Sequence, residues 1–278
     1  MRAGIWRLLH TGNHSSAENM AIDEAILTSV SKGESPPTLR FYGWDPATLS
    51  IGYFQRVEKE VNREQLHAKG LGLVRRPTGG RAVLHDQEVT YSVILEEDYP
   101  GMPTSVTASY RVLSTGLLEG FRELGLQAEM VPLETEAEKA QYASMGSAAC
   151  FDSPSNYELV VEGKKVAGSA QTRQRGVIMQ HGSILLDLDA DLLFDVLNFP
   201  SERVKERMKQ GFLNKAVAIN QLRQPPVSFD ETVRAMTRGF EKGLQIQLKP
   251  GELTPQEQKL TQELVSSRYG RDEWNLRR

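Results

Sequence analysis

Strand-like and helix-like runs take turns along this chain. That alternation restricts it to an α/β or α+β architecture, a mixed central sheet flanked by helices. Ser15 and Glu18 have capping-box spacing, and Met20, Ala21, Glu24 and Leu27 follow at helical intervals, so an amphipathic helix runs from Ser15 to about Lys32-Gly33. Beyond Pro36-Pro37, residues 38–44 and 48–55 read as strands around an Asp45-Pro46 turn, which predicts a hairpin. Residues 59–69 read as a helix stopped by Gly70. Residues 71–77 then enter Thr78-Gly79-Gly80-Arg81, and residues 82–86 and 88–95 have strand composition, so a glycine pair interrupts a sheet.

In the second half, Val106, Tyr110, Leu113, Leu117, Leu118, Phe121 and Leu124 keep helical period and Gly125 closes the run. A short strand at 127–131 leads into a charged stretch, 132–147, expected to be a long exposed loop. Residues 157–161 and 165–169 are strand-like around Glu162-Gly163-Lys164, which predicts a second hairpin. Residues 176–187 and 244–248 read as strands; residues 190–197, 201–210, 229–242 and 254–269 read as helices.

Bulk composition excludes more than it selects. A net charge of −3 does not mark a nucleic-acid binder, and no apolar run reaches the length of a membrane span. The N-terminus lacks a signal-peptide core, and a single cysteine makes no internal disulfide, which together predict a cytoplasmic protein. The five histidines (His10, His14, His67, His85, His181) are scattered, with no zinc motif and no Walker phosphate loop, so neither a metal nor a cofactor is expected.

The one cysteine, Cys150, lies in a central stretch, residues 147–171. A lone cysteine is in general a small buried hydrophobe. Here Asp152, Ser153, Ser155 and Asn156 surround it with polar groups and Pro154 rules out a helix interior, which favours a reactive thiol on a loop. A free thiol has a pKa near ~8.5, so a nearby cation raises the thiolate fraction. The predicted hairpin brings Lys165 back toward the start of its first strand, within reach of the thiol; on spacing alone a solvated turn lysine explains it slightly better.

Arg75, Arg76, Gly79, Gly80 and Arg81 form a second constellation, because glycines admit a ligand close to backbone and arginines recognise anions. A tight turn with surface arginines accounts for it almost as well. His85 and Asp86 are adjacent on a strand and face opposite sides, so His85 reads as structural or substrate-positioning, not as half of a dyad. His181 is either a satisfied core histidine or a group of the same pocket. The charges Arg203, Lys205, Glu206, Arg207, Lys209 and Lys215 read as a solvated helix face, with a docking patch for acidic proteins as the minority reading.

Three blocks, Arg75-Arg-Pro-Thr-Gly-Gly-Arg-Ala-Val-Leu-His-Asp86, Lys165-Val-Ala-Gly-Ser-Ala170 and His181-Gly-Ser-Ile-Leu-Leu186, resemble in order the signatures of the lipoate ligase, biotin ligase and octanoyltransferase superfamily. Cys150 ahead of the lysine block, Phe-Asp-Ser-Pro-Ser after it and the ending Asp272-Glu-Trp-Asn275 resemble the cysteine-dependent octanoyltransferases of Gram-positive bacteria. The resemblance implies a fold like the catalytic domain of biotin ligases over residues 1–250, with 251–278 as a helical extension packed on it. It implies octanoyl transfer from acyl carrier protein to a lipoyl-domain lysine, typically on the glycine cleavage H protein, without ATP. Cys150 and Lys165 would be catalytic; Arg75, Arg76, Gly79, Gly80, Val83, His85, Gly168, Ser169, Ala170 and His181 would bind substrate, with the glycine pair and the surroundings of Val83 as walls of an acyl tunnel. Where ligases carry a third glycine this chain has Arg81, a departure from adenylate binding. An ATP-dependent lipoate or octanoate ligase, an amidotransferase between lipoyl domains and a carrier-binding module without turnover remain the competing readings.

Overall fold

The computed structural model describes residues 4–132 and 157–278. Strands are β1 Ile5–His14, β2 Thr38–Trp44, β3 Thr48–Ile51, β4 Gly72–Arg75, β5 Val83–His85, β6 Glu88–Glu96, β7 Ala128–Pro132, β8 Tyr157–Val161, β9 Lys164–Gln174, β10 Val177–Leu185 and β11 Gln247–Pro250. Helices are α1 Ser16–Ser31, α2 Val57–Glu60, α3 Arg63–Ala68, α4 Val106–Glu123, α5 Ala190–Asp195, α6 Glu202–Lys215, α7 Ile219–Leu222, α8 Phe229–Leu244, α9 Pro255–Leu264 and α10 Asp272–Asn275, with a π turn Val265–Tyr269 after α9.

The main sheet has the order β11-β1-β2-β6-β10-β9-β8-β7, and a small one has the order β4-β3-β5. Both are mixed: β1 runs parallel to β2 and β11, and β3 parallel to β4, while the other ladders are antiparallel. One face of the main sheet carries Phe41, Tyr91, Val93 and Leu159 against Leu117, Phe121, Met236 and Phe240 of α4 and α8. The other packs Leu9, Ile94 and Met179 against Ile22 and Ile26 of α1. The small sheet shares its core with α5 and α6 through Leu49, Ile51, Phe194 and Phe212.

Local signals survive in the fold. Ser15 caps α1, its Oγ accepting the Glu18 N–H while Glu18 Oε2 accepts the Ser15 N–H. The hairpin at Glu162-Gly163 forms with both residues at positive φ, as a two-residue turn between right-twisted strands requires. The expected hairpin around Asp45-Pro46 does not form. Both strands exist, but β2 already has β1 and β6 on its two edges, and β3 pairs instead with β4 and β5. The turn, whose peptide is cis, carries the chain from one sheet to the other. The glycine pair does interrupt a sheet, since it lies between β4 and β5 of the small one; the chain crosses to the large sheet only at Asp86-Gln87, between β5 and β6. The helix expected over 59–69 is broken at Asn62, whose side chain caps α3.

Arg75, expected to meet substrate, instead binds the end of the chain to the small sheet. Its guanidinium donates to the carbonyls of Gly52 (3.0 Å), Tyr53 (3.1 Å) and Gln55 (2.9 Å) on one side and of Trp274 (3.2 Å) and Asn275 (3.0 Å) on the other. Burial, with Arg277 and Arg278 nearby, pulls its pKa down to about 10. Replacing it orphans several buried carbonyls at about 1–3 kcal/mol each. The Arg75→Leu variant is therefore expected to unfold at lower urea concentration with a loss of about 3 kcal/mol or more, and a loss under 1 kcal/mol would contradict this account of the clamp.

Candidate active site

A narrow cavity, about 30 Å³ to a water-sized sphere, lies between the two sheets. Its lining crosses four adjacent strands of the main sheet: Gly168, Ser169 and Ala170 on β9, His181, Gly182 and Ser183 on β10, Thr90 on β6, and Tyr42 and Trp44 on β2. At about 4.8 Å per strand that is a path of about 14 Å. Ser169 and Ala170 are half-buried at one end, whereas Met20 of α1, Tyr42 and Trp44 are buried at the other. Ser50, Arg76, Val83 and His85 of the small sheet and its loops form the roof.

The polar groups around this cavity satisfy one another. Arg76 donates to Ser50 Oγ (3.1 Å), Ser50 pairs with His85 Nε2 (2.7 Å), and His85 Nδ1 meets Glu88 Oε1 (2.6 Å). Because a carboxylate only accepts, the hydrogen shared by His85 and Glu88 sits on Nδ1. Thr90 and Ser183 also donate to Glu88, and the Trp44 indole donates to Thr90 (2.7 Å) while stacking on His85 at 4.3 Å. With their polar atoms turned to each other, these side chains leave rings, methyls and glycine backbone facing the space, a lining suited to an apolar chain.

A second network closes the buried end. Asp23 accepts from Arg40 (2.8 Å), Ser92 (2.8 Å) and Tyr42 (3.1 Å), and lies 3.7 Å from His181 Nδ1; His181 Nε2 pairs with Thr78 (2.7 Å). Burial pushes the Asp23 carboxyl up, but Arg40 and His181 outweigh it and hold it below its ordinary value. Burial pulls His181 down more strongly than Asp23 raises it.

Lys165 reaches this side of the sheet through a β-bulge. Leu159 pairs with Ala167 but Val160 pairs with Lys165, so Val166 is an extra residue. Cross-strand partners share a face. Ala167 therefore faces the α4–α8 core with Leu159, while Lys165 faces the opposite way with Val160, on the side of Gly168, Ala170, His181 and Ser183. Strict alternation would have put Lys165 with Ala167 in the core. Its carbonyl accepts the Val217 N–H (3.0 Å), and its amine donates to Glu158 Oε1 at 3.0 Å, with both side chains buried.

Of the residues singled out from sequence, Arg76, Val83, His85, Gly168, Ser169, Ala170 and His181 meet at the cavity. Lys165 shares their face without lining it, about 7 Å along the ladder from Gly168, because the bulged Val166 adds no step and two steps of about 3.3 Å remain. Arg75 does not reach it. Gly79 and Gly80 are not walls of the cavity: Arg76 donates to the Gly79 carbonyl (2.9 Å), and a Cβ on Gly80, at φ +92°, would stand 2.9 Å from the same guanidinium. Cys150 lies outside the described residues, as do the polar residues around it and most of the loop expected before it. Among the described residues, no group of three or more His, Cys, Asp or Glu is arranged to hold a metal, and no helix is long and apolar enough to cross a membrane.

Asp23, Arg40, Tyr42, Trp44, Ser50, Glu88 and Glu158 were not foreseen. Asp23 sits one residue before the predicted helix position Glu24, and Arg40 and Tyr42 alternate along a predicted strand; period alone does not tell a buried charge from a solvated one.

Comparison with known proteins follows the same lines. Residues 15–241 match the family described as the lipoyl protein ligase A/B catalytic domain. A Brevibacillus brevis protein named octanoyltransferase LipM is 63% identical over 273 residues, covering 98% of this chain and 99% of that one. Its Bacillus subtilis namesake is 57% identical over 278 residues and covers 100% of both. A bi-partite lipoate protein ligase from Thermoplasma acidophilum, described with its E2 lipoyl domain, superposes with a TM-score of 0.81 at 28% identity, covering 99% of this chain and 97% of that one. Lipoate-protein ligase A bound with ATP gives 0.76 at 30% identity, with coverages of 99% and 98%.

The depressed pKa of His181 has a signed consequence for stability. Between its folded value and the ordinary value near ~6.5, the unfolded chain binds the proton more readily, so stability rises with pH across that window and is lost as pH falls through it. Burial lowers His10 and His14 in the same direction. Melting temperatures measured from pH 5 to 8 should climb to about 6.5 and level off, with a shallower climb in His181→Gln; an unchanged slope in that variant would refute the assignment.

Proposed function

The chain belongs to the lipoyl protein ligase A/B catalytic-domain family and is an acyl-transferring enzyme, an octanoyltransferase; from that premise we propose that it moves an octanoyl group from acyl carrier protein to a lipoyl-domain lysine, that of the glycine cleavage H protein foremost, through a thioester on Cys150. The Cys150 thiolate attacks the carrier thioester carbonyl, a new S–C bond forms, and the carrier sulfur leaves with the electron pair and takes up a proton. The acceptor amine then attacks the enzyme thioester, the C–N bond replaces the C–S bond, and the proton lost by nitrogen balances the returning thiolate. Exchange of thioesters is nearly isoenergetic, so ATP is not required.

The observation that carries this reading is the cavity itself, apolar in what it presents and blind at Met20, Tyr42 and Trp44. At ~0.8 kcal/mol per methylene, an eight-carbon tail gains roughly 5 kcal/mol there, yet one methylene more or less changes affinity only about fourfold. A closed end must set the length. Lys165, on the same face, supplies the cation that supports the Cys150 thiolate.

Two measurements test the proposal. Incubated with octanoyl acyl carrier protein and no ATP, the protein should gain one octanoyl mass that neutral hydroxylamine removes and that Cys150→Ala does not gain; acceptor modification only with ATP and free octanoate would establish a ligase instead. Met20→Ala, which opens the blind end, should shift the preferred donor from eight carbons to ten or twelve, and an unchanged preference would place the length limit elsewhere.

A further inference from the structure

We infer that Glu158 is the positioning residue of Lys165, acting on acyl transfer only through that ammonium; this rests on the reading above, in which Lys165 takes part in the reaction. Glu158 lies between Leu159 and Tyr157 at the start of β8, and its Oε1 accepts from Lys165 Nζ at 3.0 Å. The two side chains are 9% and 6% exposed. Residues two apart on a strand share a face, so Glu158 stands with Val160, and Val160 is the cross-strand partner of Lys165. The carboxylate is thus the diagonal neighbour of the amine on the cavity side.

That placement depends on the bulge. With regular alternation Lys165 would turn into the α4–α8 core and Glu158 would be a buried carboxylate without this partner, an arrangement a protein does not tolerate cheaply. The bulge and the carboxylate therefore act together: the first turns the lysine to the reacting face, and the second fixes an amine that otherwise swings on a flexible four-carbon stem. The backbone is held as well, because the Val217 N–H binds the Lys165 carbonyl at 3.0 Å. A lysine held at both its carbonyl and its amine is built for placement, not for solubility.

The test compares the full-length protein with Glu158→Gln, Glu158→Asp, Lys165→Ala and the Glu158→Gln/Lys165→Ala double variant, following octanoyl transfer by intact mass over hours so that slow variants are still read. Glu158→Gln should lower kcat about tenfold or more while leaving the acceptor KM within about twofold, and Glu158→Asp, which keeps the charge, should recover part of the loss. The double variant should be no slower than Lys165→Ala, since no ammonium is left to position. Wild-type kcat in Glu158→Gln, a further slowing of equal size in the Lys165→Ala background, or a loss that follows the melting temperature with no recovery in Glu158→Asp would each overturn the inference. Should Lys165→Ala itself keep full activity, the role given to Lys165 falls first and the inference with it; wild-type Glu158→Gln beside an impaired Lys165→Ala removes the inference alone.

Discussion

The buried pair of Arg40 and Asp23 fixes where everything else can be. Both side chains are almost wholly inaccessible, and their 2.8 Å bond joins the middle of β2 to α1. Through Asp23 the pair also holds Tyr42, Ser92 and, electrostatically, His181; through Arg40 it holds Asn19, whose amide in turn donates to the Gly43 carbonyl. Taking two charges out of water is costly, so such a pair is weak evidence of stability gained. What it does provide is uniqueness: shifting α1 along the sheet would leave a carboxylate and a guanidinium buried apart. Met20 and Asp23 ride on the same helix, so the buried end of the cavity inherits this fixed position.

The elements were largely legible in the chain, because caps and periodicity are local. Ser15 with Glu18, Ser228 with Glu231 and Thr254 with Glu257 all form reciprocal caps at the helix starts. Pairing was less legible, because it is decided by competition. The strands on either side of Asp45-Pro46 resemble a hairpin to any local reading, and only the presence of β1 and β6 on the edges of β2 excludes it. The cavity followed from blocks whose residues converge at Arg76, Val83, His85, Gly168 and His181. Its buried charges did not, since Arg40 in a strand looks the same whether water or Asp23 is its partner. Arg75 and Arg76 show the limit best: neighbours in one block, they face opposite ways, one to the cavity and one to Trp274 and Asn275.

The bulge at Val166 matters beyond the lysine it turns. Val166 and Ala167 are consecutive and both belong to the α4–α8 core, which strict alternation forbids. A one-residue irregularity therefore lets a single strand serve two layers, contributing apolar packing on one side and Lys165, Gly168 and Ala170 on the other. Glu158, two residues from Val160, finds its partner only in that register.

The Arg75 clamp and the β1–β11 ladder also order events in time. Ile5 pairs with Gln247, and Arg75 waits for the carbonyls of Trp274 and Asn275. On a ribosome the chain emerges from its N-terminus, so the outer edge of β1 stays open until residues 247–250 have been made, and the loop of Gly52, Tyr53 and Gln55 stays without its second support until Trp274 and Asn275 have followed. Contacts this distant in sequence close slowly. The cavity roof, which continues from that loop through Ser50 and Arg76, thus rests on a support about 200 residues further along the chain.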